Sequence, residues 1–287
     1  MRLFVPPHQP PVELRTYLAQ ALPDVPGWAL RWILANKQVK RNGMRLDAWD
    51  LVHSSDELTV YLPKELVGKA MTPPEIQTVY EDERIWLVNK PQGIASQGVD
   101  DPRGEPGVLE HLQERSNARW LAVCHRLDHQ TGGLLLLAKD SETEGLLRQA
   151  FAHQNVEKLY TCLTVGTPEP KQAELFAFLC KDAKAARVTV RDTPFAGALP
   201  IRTNYRVVEP GSIARVEAGL ITGRTHQIRA HLAFIGHPIL GDDKYGDRGA
   251  NRAHGARAQR LWATGLTLHG SMLGDLDGRS FWVKAPF

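Results

Sequence analysis

Three clusters in this sequence place residues capable of chemistry within a few positions of one another. The first is His125-Arg126-Leu127-Asp128-His129-Gln130-Thr131-Gly132-Gly133, just ahead of the apolar run 134–138. A carboxylate, a guanidinium and two imidazoles share one turn there, and the glycines let a ligand or another backbone come close. An internal Arg–Asp pair would explain the same residues without chemistry. The second cluster is Lys158-Leu159-Tyr160, entering a strand-like segment. Residues two apart on a strand share a face, so Lys158 and Tyr160 point together, although a strand tyrosine more often only packs. The third runs from Thr222 through Gly223, Arg224, Thr225, His226, Gln227, Ile228 and Arg229 to His231, followed by GHPILGDDKYG. It falls at a strand-to-helix junction, where unpaired N–H groups and arginines favour an anion. A capped helix with solvent-facing arginines is the plainer alternative.

Other chemistries lack their residues. There is no GxSxG elbow, no GxxxxGK[ST] phosphate loop and no HExxH pair. His125 and His129 would share a metal with Asp128 only on a helix, and the glycines that follow favour a turn. Asp242-Asp243 with His237 reads as a turn after Pro238. No metal and no organic cofactor is expected. The 3 cysteines, Cys124, Cys162 and Cys180, form no CxxC pair, which fits a reducing compartment. With no apolar stretch of spanning length and no secretory signal at the N-terminus, the expectation is a cytoplasmic protein without membrane contact. The net charge of +3 leans weakly towards an anionic partner.

The elements that must position these clusters fall into two regions. Residues 1–63 read as a small α+β module. Val12, Leu14, Leu18 and Leu22 keep helical spacing up to Pro23, and a second segment over 27–35 carries Trp28, Leu30, Arg31, Trp32, Ile33 and Leu34. Asn42-Gly43 marks a hairpin, and ELTVYL alternates as a strand. From Trp28 to Arg45 there are five basic residues (Arg31, Lys37, Lys40, Arg41, Arg45) and no acid, with Asp47, Asp50 and Asp56 following. That segregation suits a phosphate backbone, with a solvated basic face as the alternative. Residues 64–75, rich in proline, read as a linker. In residues 76–287, IWLVNKP, GLLLLAKD, KLYTCLTVG and ARVEAGLI are strands. Ser141 with Glu144 forms a capping box opening a helix, and a further helix runs from Thr225 until Gly236 and Pro238 stop it. Mixed strands and helices without βαβ alternation point to an α+β fold.

Taken together, the clusters resemble the RluA family of RNA pseudouridine synthases. HRLDHQTGG is similar to the family's HRLD-x-x-T-S-G, with Gly132 in place of serine. Lys158 and Tyr160 match its K-x-Y, Gly223 to Arg229 match G-R-[TS]-H-Q-[IL]-R, and GHPILGDDKYG matches GHPI-x-GD-x-x-YG. NKPQGI resembles the family's NKP-x-G segment. A second departure is Leu261-Trp262-Ala263, where the family tends to have Leu-His-Ala. The N-terminal module resembles the S4 RNA-binding domain through Val39, Lys40, Arg41, Asn42 and Gly43. It lacks that domain's Gly-Asp, having Ser55-Asp56 instead, and its arginine-serine pair.

The resemblance implies a pseudouridine synthase fold, a mixed and largely antiparallel sheet with flanking helices. It also implies an isomerase acting on uridines of rRNA (23S first) or tRNA, with no obligatory protein partner and a monomer by default. In this reaction the C1′–N1 bond breaks, the uracil turns in place, and C5 joins C1′. No redox step occurs. The resemblance makes Asp128 the catalytic carboxylate and places Arg229 beside it. Burial alone would raise an acid's pKa, and a guanidinium can hold a carboxylate through two parallel hydrogen bonds. Tyr160 is the candidate acid–base group at C5, Arg126 fills the gap left by a flipped base, and Ile228 forms an apolar wall. His125, Lys158, Arg224, His226 and Gln227 complete the expected base or RNA contacts, with Arg31, Lys40 and Arg41 from the N-terminal module. Two basic stretches, Lys181, Lys184, Arg187 and Arg191, then Lys244, Arg248, Arg252, Arg257 and Arg260, would add phosphate affinity. A non-catalytic RNA-binding protein and a nucleoside hydrolase using Asp128 are the competing classes.

Overall fold

The computed structural model describes residues 1–23, 25, 30, 33–34, 37–61, 75–98, 106–116, 120–182 and 186–287. Arg31, Lys184, most of the 27–35 segment and nearly all of the proline-rich 64–75 stretch lie outside these residues. The chain divides into two compact units. One comprises Met1–Pro74 with Gln97–His111, and the other Glu75–Ser96 with Leu112–Phe287. The segment 97–111, which the sequence reading assigns to the second region, therefore groups with the first.

In the N-terminal unit, strands β1 (Arg2–Phe4), β3 (Val39–Arg41), β4 (Met44–Arg45) and β6 (Glu57–Val60) form a sheet in the order β1-β6-β3-β4. Two short strands, β2 (Val12–Glu13) and β5 (Leu51–Val52), pair separately. Helix α1 (Leu14–Ala21) buries Leu14, Tyr17 and Leu18 in a core with Val39, Val52, Leu58 and Val60. Asn42 and Gly43 both take positive φ, as the two-residue turn between β3 and β4 requires. The acids that follow the basic run fold back onto it. Lys37 Nζ lies 3.0 Å from Asp47, and Arg41 Nη1 donates to Asp56 Oδ2 at 2.9 Å and to the Leu51 carbonyl at 3.0 Å. Charges segregated along the chain are thus partly neutralised in space. Lys40, half-buried above the Tyr61 ring at 5.2 Å, and the exposed Arg45 are the cations of the hairpin that no ion pair among the described residues engages.

The second unit is built on one large, mostly antiparallel sheet. Its strands are β7 (Gln77–Glu81), β8 (Ile85–Lys90), β9 (Ala122–Val123), β10 (Gly132–Ala138), β11 (Val156–Val165), β12 (Gln172–Asp182), β13 (Arg187–Arg191), β14 (Leu199–Glu209), β15 (Ile213–Leu220), β16 (Leu261–Leu268) and β17 (Ser280–Trp282). The order is β13-β12-β14-β15-β11-β16-β10-β8-β7, with β17 on β16 and β9 on β10, and only the β10–β16 pair is parallel. Every residue of β10 is buried. That explains its unbroken apolar run, because a strand covered on both faces does not alternate.

Helices flank this sheet. Helix α2 spans Val108–Arg115. Helix α3 (Ser141–Ala152) lays Leu147 and Ala150 against Leu134, Leu136 and Ile85. Its cap is Asp140, not Ser141: the carboxylate accepts the Thr143 N–H and hydroxyl, both at 2.7 Å, so Ser141 is already helical. Aspartate outcompetes the capping-box serine because it satisfies two donors from one position. Helix α4 (Gln227–Phe234) packs Ala230 against Ala177, Leu179, Val188 and Ile201. It begins two residues later than the spacing suggests, because His226 takes φ +54° and ends the loop. The basic stretch after it is ordered as well: Asp247 caps a short helix α5 (Arg248–Ala253).

Candidate active site

The loop carrying Asp128 leaves β9 and enters β10. Gly133 has φ +112°, and a β-carbon there would meet the Ala263 carbonyl of β16 at 2.2 Å, so only glycine admits this close strand entry. The loop is clamped from the NKPQGI side. Lys90, wholly buried, donates from Nζ to the carbonyls of Pro91 (3.1 Å), Ile94 (2.7 Å) and His129 (3.3 Å). Burial pushes its pKa down to about 7, opposed by the charge of Asp128. Three carbonyl acceptors match the three hydrogens of an ammonium, which argues for the charged form in this cage. Gln92 donates to the carbonyl of Gln130 (2.7 Å), the Ser96 hydroxyl accepts the Leu127 N–H (3.0 Å), and Gln259 donates to Thr131 (2.8 Å).

Arg229 projects from the first turn of α4 into a knot of three carboxylates. Its Nη1 donates to Asp128 Oδ2 at 3.1 Å, while Nε and Nη2 form the parallel pair with Asp242, at 2.7 and 3.0 Å. Nη2 also reaches Asp243 at 2.9 Å. The two-bond fork expected for Asp128 is therefore given to Asp242, and Asp128 receives a single bond. The reason is steric: Asp242 lies 13 residues on, in the turn against the helix, and is fully buried beside a guanidinium with 4% exposure. Burial alone would raise the Asp242 pKa, but Arg229 and the N–H groups of Tyr245 and Lys244 hold it below the usual carboxylate range. Burial opposes the charge on Arg229 too, yet the flanking aspartates raise its pKa further above an already high value. Asp242, read from the sequence with Asp243 as a plain turn, thus anchors the site. Among the described residues no group of three His, Cys, Asp or Glu is arranged to hold a metal ion.

Asp128 Oδ2 also faces His226 Nε2 at 4.0 Å, and no described residue donates to Asp128 Oδ1. Tyr160 is buried on β11 where the register with β16 shifts. Burial first, and the Asp128 charge second, push its hydroxyl well above the usual phenol range. The phenol is therefore held protonated in the resting site. Lys158 shares its face; burial lowers its pKa, and its Nζ sits near Gly223. Ile228 is buried beside Arg229.

Two expected contacts are internal instead. Gln227 spends all four hydrogen-bonding positions within the fold: Oε1 accepts from Thr222 and Arg224, and Nε2 donates to the Arg202 carbonyl and the Thr203 hydroxyl. It shapes the loop and has no polar position left for a base. His125 stacks on Phe151 and accepts the Leu136 N–H at 3.1 Å; burial, then the Lys158 charge, lower its pKa to about 3. It is a neutral packing residue. Arg126 and Arg224 are exposed at the rim. The two basic stretches meet in space: Arg187, Lys244 and Arg248 line one open cleft of about 520 Å³ with Phe234 and Tyr245. Sequence reasoning missed Lys90, Asp242 and Tyr245 as site-building residues, although NKPQGI and GDDKYG were the signals that contained them.

Comparison with known proteins agrees with this geometry. The family profile described as RNA pseudouridylate synthase matches residues 84–234. Ribosomal large subunit pseudouridine synthase C of Vibrio cholerae is 32% identical over 245 residues, covering 81% of this chain and 76% of the relative. The protein of the same name from Escherichia coli is 32% identical over 249 residues, covering 82% and 76%. Among solved structures, Human RNA Pseudouridylate Synthase Domain Containing 1 superposes with a TM-score of 0.63 at 22% identity, over 76% of this chain and 87% of that one. Domain Containing 4 gives 0.60 at 24%, over 73% and 88%. A sheet of this topology with a guanidinium-bound aspartate in the HRLD loop defines an isomerase of RNA uridines. The chain belongs to the RNA pseudouridylate synthase family.

Proposed function

We propose that this enzyme converts uridine to pseudouridine in large-subunit ribosomal RNA, with Asp128 as the carboxylate that meets the charge developing at C1′. The observation that carries the reading is the Arg229–Asp128 bond in a knot with Asp242. It orients Asp128 through Oδ2 and leaves Oδ1 without a donor among the described residues. The relatives named for the large ribosomal subunit support rRNA over tRNA. Tyr160 and Ile228 wall the pocket for the flipped uracil, Lys158 faces the same side, and Arg126 and Arg224 meet the RNA at the rim. Unstacking the base costs a few kcal/mol, which phosphate contacts at the Arg187, Lys244 and Arg248 cleft help offset.

The N-terminal unit acts as an S4-like RNA-binding domain, with residues 64–75 as its linker, and works through Lys40 and Arg45. The enzyme functions as a cytoplasmic monomer. No helix among the described residues is long and apolar enough to cross a membrane, which is compatible with this placement.

The test maps pseudouridines in total RNA from cells with the gene, without it, and with Asp128→Asn. One or more carbodiimide-dependent reverse-transcription stops should vanish in the last two, while the variant still folds and binds RNA. Full modification by Asp128→Asn would remove the assignment. Release of free uracil from RNA would favour a hydrolase.

A further inference from the structure

We propose that His226 Nε2–H and Asp128 Oδ2 together bind the 2′-hydroxyl of the target ribose, and that Tyr245 fixes His226 in the tautomer that does so. The proposal rests on the enzyme reading above and specifies how its site recognises the sugar.

The Tyr245 hydroxyl lies between two partners. It accepts the Val188 N–H at 2.8 Å and sits 2.9 Å from His226 Nδ1. Its own hydrogen is free to point at Nδ1, and in that arrangement the imidazole carries its hydrogen on Nε2. The rings meet edge to face, with centroids 5.6 Å apart, which leaves His226 little rotational freedom. His226 holds this position at φ +54°, a left-handed conformation that costs a non-glycine residue on the order of 1 kcal/mol or more. Strain of that kind persists where the surrounding contacts over-determine it, as they do here.

Nε2 lies 4.0 Å from Asp128 Oδ2. That is too long for a direct hydrogen bond, yet one oxygen atom about 2.8 Å from each would bridge them. The bridging group must accept from Nε2–H and donate to a carboxylate, which a hydroxyl does and a carbonyl does not. Oδ2 has the capacity, since Arg229 Nη1 occupies only one of its lone pairs.

Stereochemistry selects which hydroxyl. The base of a nucleoside projects from the β face of the ribose, so a carboxylate approaching C1′ opposite the base comes from the α face. The 2′-hydroxyl lies on that same face, one carbon away. Anchoring it between Oδ2 and His226 leaves Oδ1 towards C1′. A 2′-hydroxyl contact is also the feature by which a protein distinguishes RNA from DNA at a single position.

The charged and titratable groups facing His226 are Asp128, Arg229, Lys244, Asp242 and Tyr245. Burial, with Arg229 and Lys244, outweighs the two aspartates and lowers the imidazole pKa, which favours the neutral ring.

The experiment measures single-turnover rates on two synthetic stem-loops carrying the mapped uridine, identical except for 2′-OH or 2′-H at that nucleotide. Wild type, His226→Leu, His226→Gln and Tyr245→Phe are compared. Wild type should be slowed about ten-fold or more by the deoxy substitution, the scale of one lost hydrogen bond to a charged group. In His226→Leu that penalty should shrink to about three-fold or less, because the His226 half of the contact is already gone and Asp128 alone no longer fixes the hydroxyl. His226→Gln, which keeps an N–H donor, should retain most of it. Tyr245→Phe should lose part of it. Comparing ratios cancels the intrinsic difference in glycosidic lability between the two sugars. A penalty in His226→Leu equal to that of wild type overturns the proposal, as do equal wild-type rates on both stem-loops. An undiminished penalty in Tyr245→Phe removes Tyr245 from it. Wild-type turnover of the 2′-OH stem-loop is the separate check on the enzyme reading.

Discussion

Gly132 and Trp262 are register partners across the parallel β10–β16 pair, and a β-carbon on Gly132 would lie 2.2 Å from the Trp262 ring. These are the two positions at which the sequence departs from the motifs it otherwise resembles. The glycine and the tryptophan are one packing solution: the ring occupies the volume that a serine side chain would need. Trp262 Nε1 also donates to Asn89 at 3.2 Å, tying the ring to the NKPQGI segment.

Gly132→Ser is therefore expected to destabilise the protein by about 1–3 kcal/mol, the usual cost of overpacking. Adding Trp262→His should recover part of that loss, with a coupling of at least about 0.5 kcal/mol. Urea unfolding of the single and double variants measures it. Strictly additive effects would refute the shared-volume explanation.

Asp242 and Asp243 both touch Arg229 but differ in burial, at 0% and 65% side-chain exposure. Asp242→Asn breaks a buried charge pair and should cost about 3–5 kcal/mol, with turnover lost at temperatures where the variant remains folded. Asp243→Asn should change stability by less than about 0.5 kcal/mol. Similar melting temperatures for the two variants would contradict the Asp242 anchor.

Burial holds His125 at about 3 and His231 at about 4, against 6.5 for a free imidazole. The unfolded chain therefore binds more protons than the folded one between these values. Stability should be intact above about pH 6.5 and fall as the pH drops through the window. Each histidine contributes up to about 1.4 kcal/mol per pH unit. Comparing urea unfolding at about pH 7 and about pH 5, His125→Gln should show a shallower loss than wild type. An identical pH slope would mean that His125 is not held neutral.

In the N-terminal unit, Lys40→Glu with Arg45→Glu should weaken RNA binding and reduce the salt dependence by about two phosphate contacts, leaving kcat unchanged. Arg41→Ala should instead lower stability, because Arg41 is engaged with Asp56 and the Leu51 carbonyl. Filter binding across a salt series separates the two. If Arg41→Ala changed only the salt slope, the ion pair would be of no structural consequence.

Much of the chemistry was legible in the motifs. Asp128 and Arg229 are 101 positions apart, and it was the family resemblance of their motifs, not residue type or spacing, that implied the pairing the fold contains. The α+β class followed from strands and helices that do not alternate, and the buried central strand from 134–138. Residue type and short-range spacing carry such information because helices, strands and turns are decided by neighbours along the chain.

Only the tertiary structure decided how shared groups were divided. The fork of Arg229 went to Asp242 rather than Asp128, and Asp140 rather than Ser141 took the helix cap. The basic hairpin met its own acids, and Gly132 acquired its meaning from Trp262. Each of these is a competition for one donor, one acceptor or one volume among side chains that are distant in sequence or offered together. The sequence names the competitors; distance and burial in the folded chain choose among them.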